Sequence, residues 1–201
     1  MVAAAAIVVP VLIAFGVMGR GARPERFDAK VFTVTPVGEG VHLHEVVDID
    51  FGRAQRHGYQ RVIPNDFGTP TDVTASSPNA SARIDVAQEG TDTRIRLGDP
   101  DATTTGRHRY VLDYTLPEAH LGQHSLALDI IGDQETLDTQ RFVVILSGFR
   151  LSNPTCNVGA VGTVGGCTLT TYRDGYRAII APLRAGSGIT CLLYTSPSPR
   201  D

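Results

Sequence analysis

The chain has no tryptophan and one lysine, Lys30; the remainder of its 18 basic residues are arginines. Charged residues are sparse at 19%, and the formal net charge is −3. Nowhere do the arginines cluster, so the sequence lacks the basic patch a nucleic-acid surface needs. Catalytic signatures are missing as well. Ser187 sits between Gly186 and Gly188, without the spacing or setting of a nucleophile elbow. No phosphate loop or dinucleotide fingerprint occurs. Cysteine is scarce, with three in the chain. Cys156 and Cys167 are too far apart for a Cys-x-x-Cys redox pair and lack the two further ligands of a zinc site.

Apolar residues, at 42% of 201, are enough for one sizeable domain with a targeting segment. With 21 glycines and 12 prolines, turns should be many and helices few. Residues 2–18 are wholly apolar and uncharged, which suits a signal peptide or a membrane anchor over residues 1–22. Arg20, Arg23 and Arg26 follow that segment, and alone they would orient the domain inward. At the other end, residues 191–201 (CLLYTSPSPRD) read as a translated sequencing adapter joined to a truncated frame. Such a tail, Cys191 included, is expected not to pack.

Between these ends the pattern is that of strands. Val41, Leu43, Val47, Ile49 and Phe51 share one face of a period-two run, while His42, His44, Asp48 and Asp50 share the other. Gly38-Glu39-Gly40 should join this run to a strand over 31–37 as a hairpin. Further short strands are expected at 59–63, 72–75, 82–87, 93–97, 110–116, 125–131, 140–146, 167–172 and 177–181. With no amphipathic helix between them, the expected fold over 27–190 is all-β: an antiparallel β-sandwich of immunoglobulin-like architecture, preceded by the N-terminal hydrophobic helix.

Several segments resemble a known family. These are Val41-His-Leu-His-Glu45 with Phe51, Gly58-Tyr-Gln-Arg-Val-Ile-Pro64, Arg94-Ile-Arg-Leu-Gly98, the stretch from Gly106 through Tyr110 to Tyr114, the Cys156 to Cys167 loop, and Ala181-Pro-Leu183. In order and spacing they are similar to the N-terminal domain of a bacterial membrane-protein family, domain-of-unknown-function family twenty-two-oh-seven. The resemblance implies a signal or anchor, an extracytoplasmic β domain, then transmembrane helices and often a Gly-rich tail. The family has no assigned activity, so the resemblance supplies none.

Two residue pairs stand out. Glu45 falls on the inward face between Leu43 and Val47, where an unpaired carboxylate is costly. Arg61 is the expected partner in a buried ion pair, unless a bulge turns Glu45 outward. Cys156 and Cys167 are the two cysteines left when the tail is set aside, and they flank an uncharged, Gly-rich loop. Their expected disulfide, against the alternative of two free buried thiols, would place the domain outside the cytoplasm and outweigh the arginine signal. His42 and His44, spaced i, i+2, could bind Zn²⁺ or Cu²⁺ given a third ligand, but an ordinary solvated strand face is the better reading of the pair. Asp99 and Asp101 lack the distal glutamate of a calcium loop and suit a turn. No metal or other cofactor is therefore expected. The expected function is a non-enzymatic cell-envelope interaction or structural module, tied to the membrane by its first segment and by helices beyond the present sequence, with an envelope protein or ligand as partner. The alternative is a ligand-sensing or substrate-binding domain attached to a polytopic membrane part.

Overall fold

The computed structural model describes residues 24–119 and 126–193. The apolar segment 2–18, the last eight residues, His120 and His124 lie outside the described residues. No helix among the described residues is long and apolar enough to cross a membrane.

The described chain is all-β, with a single 3-10 turn at Asn65–Phe67. Its strands are β1 (Arg26–Val37), β2 (Gly40–Asp50), β3 (Gly58–Pro64), β4 (Thr71–Ser76), β5 (Ile84–Glu89), β6 (Asp92–Gly98), β7 (Arg107–Leu116), β8 (Leu126–Ile131), β9 (Phe142–Leu146), β10 (Thr155–Gly159), β11 (Gly166–Cys167), β12 (Thr170–Tyr172), β13 (Gly175–Ile180) and β14 (Gly188–Leu193). They form a seven-stranded sheet in the order β12-β13-β9-β1-β2-β7-β4, a four-stranded sheet β11-β10-β14-β8 and a three-stranded sheet β3-β6-β5. Buried residues from all three sheets join one hydrophobic core.

The β1–β2 hairpin closes as its alternation requires. Val37 pairs with Gly40 across a two-residue turn, and Gly38 takes φ +58°, a left-handed conformation that glycine adopts at little cost. Along β2, Val41, Leu43, Glu45, Val47 and Ile49 are buried, and the residues between them are half-buried. In β7, Tyr110, Leu112, Tyr114 and Leu116 are buried in the same rhythm.

Three expectations need correction. The large sheet is not wholly antiparallel, because β1 pairs with β9 in parallel, from Lys30↔Phe142 to Val34↔Leu146. The physical reason is legible in β9, whose Phe-Val-Val-Ile-Leu run does not alternate, as befits an interior strand covered on both faces. The expected tail does pack at its start: Cys191–Leu193 complete β14, which pairs with β10 on one side and β8 on the other. Cys191 is fully buried there, since an apolar Cys-Leu-Leu run can close an interior strand whatever its origin. The loop expected between Cys156 and Cys167 is shorter than the sequence suggests, because β10 extends to Gly159 before the chain turns.

Candidate functional site

The polar centre of the molecule is built on strand alternation. Glu45 is carried inward by β2 and Arg61 by β3, and both side chains are buried. Arg61 Nε donates to Glu45 Oε1 at 3.0 Å. Tyr114, inward on β7, donates its hydroxyl to the same oxygen at 2.6 Å. The other arms of the guanidinium donate to the Val62 carbonyl at 2.8 Å and to the Ile130 carbonyl at 2.8 Å. One side chain from the three-stranded sheet thus grips β2 of the seven-stranded sheet and β8 of the four-stranded sheet. Burial by itself would lower the Arg61 pKa, but the neighbouring Glu45 charge holds it well above its ordinary value. Tyr59 and Tyr114 are pushed well above the ordinary phenol range, chiefly by burial and then by Glu45.

Lys30 lies beside this pair. It is in phase with Phe32 and Val34 on β1, so the strand turns it inward, and it is fully buried. Its ammonium sits 3.6 Å from the Phe27 ring centroid and 3.0 Å from Glu135 Oε2. That second contact is an ion pair not aligned as a hydrogen bond. Burial, only partly opposed by Glu135, pulls the Lys30 pKa down to about 8. Glu45 Oε2 and the hydroxyls of Tyr59 and Tyr110 are buried without a hydrogen-bond partner among the described residues.

Above this network opens a cleft of about 500 Å³, with Tyr59, Arg61, Gln60, Arg56 and Glu135 in its walls. Apart from Asp92, its charges are matched in pairs. Arg56 forms a two-pronged pair with Glu25, at 2.6 and 2.5 Å, while Arg61 faces Glu45 and Glu135 faces Lys30.

The other candidate residues fall elsewhere. Cys156 and Cys167 are directly cross-strand on β10 and β11, with Cα atoms 5.6 Å apart and sulfurs within bonding distance. Cys191 faces Cys156 from the opposite neighbour, β14. Burial raises its thiol pKa to about 12. His42 and His44 share Asp113 Oδ1, at 3.3 and 2.8 Å, on the outer face of the large sheet. No group of three His, Cys, Asp or Glu side chains among the described residues is arranged to hold a metal ion. His57 contacts the carbonyls of Asp99 and Ala102, and His108 contacts Thr104 Oγ1. Asp99 accepts from the Asp101 amide at 2.9 Å, which is a turn.

Lys30 and Glu135 escaped the sequence reading. For Lys30 the signal was present in its phase with Phe32 and Val34. For Glu135 there was none, because the residue lies in a loop with no period.

No family model and no curated protein matches this chain. Among solved structures it is similar to an M1 zinc metallopeptidase from Deinococcus radiodurans, with 13% identity over 84% of this chain and 42% of that one, at a TM-score of 0.43. It is also similar to native leukotriene A4 hydrolase from Saccharomyces cerevisiae, with 10% identity over 88% of this chain and 31% of that one, at a TM-score of 0.45. The chain thus spans less than half the length of these structures, and likeness at this level assigns neither family nor activity.

Proposed function

We propose that this chain is the extracytoplasmic domain of a membrane protein of the twenty-two-oh-seven family, and that it acts as a non-enzymatic interaction module of the cell envelope. In this reading the three sheets are layers of a β-sandwich of broadly immunoglobulin-like architecture. Residues 2–18 form the hydrophobic helix before it, and Cys156 and Cys167 are joined in an oxidising compartment. The observation that carries the proposal is the Arg61 junction. A guanidinium that ties three sheets together makes the cleft walls rigid, and the floor charges are occupied with one another rather than poised for reaction. Rigid walls whose arginines are already paired suit shape recognition.

A photo-crosslinking residue at Gln60, on the exposed side of β3, tests this in intact cells. The expected result is a discrete adduct that is lost when the residue is moved to His42 on the outer face of the large sheet. Absence of any Gln60-specific adduct overturns the proposal. A Gln60→Cys variant tests location: a membrane-impermeant maleimide should label it without lysis.

The second reading, a ligand-sensing or substrate-binding domain, is favoured by the cleft volume. A small-molecule adduct at Gln60, in place of a macromolecular one, would select it.

A further inference from the structure

We propose that the cleft takes an extended, basic peptide segment as an added strand along β3. The inference rests on the interaction-module reading and names its partner.

Sheet order leaves β3 at the end of the three-stranded sheet and β8 at the end of the four-stranded sheet. Each pairs with a strand on one side only, so alternate backbone N–H and C=O groups on the other side have no strand partner among the described residues. The cleft lies against that free side. A cavity over a sheet face touches every second residue, whereas this one touches Gly58, Tyr59, Gln60, Arg61 and Val62 in succession, as a cavity along an edge must. A second cavity of about 510 Å³ shares Val62, Asp92 and Ile131 with the first and reaches Asp129 at the β8 edge. Together they make one groove between two strand edges. The Ile130 carbonyl, turned from β8 toward Arg61, marks its floor.

Length and charge then define the occupant. With the Val62 carbonyl taken by Arg61 and no N–H on Pro64, the open part of the β3 edge runs from Gly58 to Val62, about 15 Å, enough for a strand of similar length. The basic wall residues Arg56 and Arg61 already face Glu25 and Glu45. Asp92, Asp129 and Asp133 line the groove with no basic partner among the described residues. A segment alternating basic and small apolar residues answers each feature. Its backbone pairs with β3, and its cations meet the three aspartates.

The test uses the full chain and a fluorescein-labelled (Lys-Val)4 peptide, read by anisotropy at low and at physiological salt. Three comparisons accompany it: the same peptide N-methylated at alternate amides, (Glu-Val)4, and the Asp92→Asn/Asp133→Asn protein. The expected result is saturable binding of (Lys-Val)4, weakened about tenfold or more by N-methylation because added-strand binding depends on main-chain hydrogen bonds. The double variant should bind about tenfold more weakly at low salt, with a shallower salt dependence. (Glu-Val)4 should not bind. Equal binding of the N-methylated peptide would overturn the added strand and leave only a charged cleft. Failure of (Lys-Val)4 to bind while Gln60 still crosslinks in cells, to a lipid, a glycan or another protein surface, would overturn the peptide inference and spare the module. Failure of both experiments would remove both.

Discussion

Arg61 is the residue on which three sheets depend. Its replacement by alanine strands a fully buried Glu45 and frees the Ile130 carbonyl. Breaking a buried pair in this way is expected to cost about 3–5 kcal/mol, measurable by urea denaturation. Tyr114→Phe removes a smaller part of the same junction, the hydroxyl donated to Glu45 Oε1. The expected loss is about 1–3 kcal/mol, because the remaining carboxylate oxygen is already unpartnered. Lys30 predicts a pH dependence of opposite character. Its folded pKa of about 8 lies below that of the unfolded chain. Below pH 8 both states hold the proton, and the cost of the buried ammonium is fully present. From about 8 up to the ordinary lysine range the unfolded chain binds the extra proton, so this residue makes stability rise with pH. The rise should total about 3 kcal/mol and vanish in Lys30→Met, where the difference between the two proteins isolates it from other titrating groups. How such residues could be read from sequence differs. Glu45 is visible because it interrupts an apolar face at the period of β2. Arg61 could be paired with it because it lies in the next strand. Glu135 holds its place through loop conformation, which no period encodes.

Among the strands, β2 and β7 announced themselves by clean alternation, and their register follows from it. The strands hidden in the sequence were those whose neighbours are distant. β14 is the clearest case, since its Gly-Ile-Thr-Cys-Leu-Leu stretch looks like a chain end until β10 and β8 are placed on either side of it. Its role yields a prediction opposite to that of an unpacked tail. Ending the chain at Thr190 should lower the melting temperature measurably, because Leu128 and Cys156 lose their cross-strand neighbour Cys191. The β10–β11 clasp adds a second test. If Cys156 and Cys167 are bonded, replacing both by serine should cost about 3 kcal/mol in the chain-entropy account of a loop this size. Non-reducing mass spectrometry of exported protein would then find one free thiol, Cys191. Buried and with its pKa raised to about 12, that thiol should react with alkylating reagents only after unfolding.

For the molecule as a whole, composition and turn frequency were enough to set the class, because few helix formers and many glycines leave strands as the way to bury a core of this size. Sheet order was not legible, since it depends on which distant edges meet. The parallel seam between β1 and β9 carries a consequence in time rather than in space. Lys30 pairs with Phe142 and Val34 with Leu146, so the strand at the centre of the largest sheet waits for a partner made much later. Closing so long a loop before any contact rewards it slows folding, and refolding from urea is expected on the millisecond-to-second scale of β proteins rich in non-local pairs. A chain that emerges with β1 first cannot complete its main sheet until β9 has followed. Until then the β1–β2 hairpin keeps open the edge that β9 will cover.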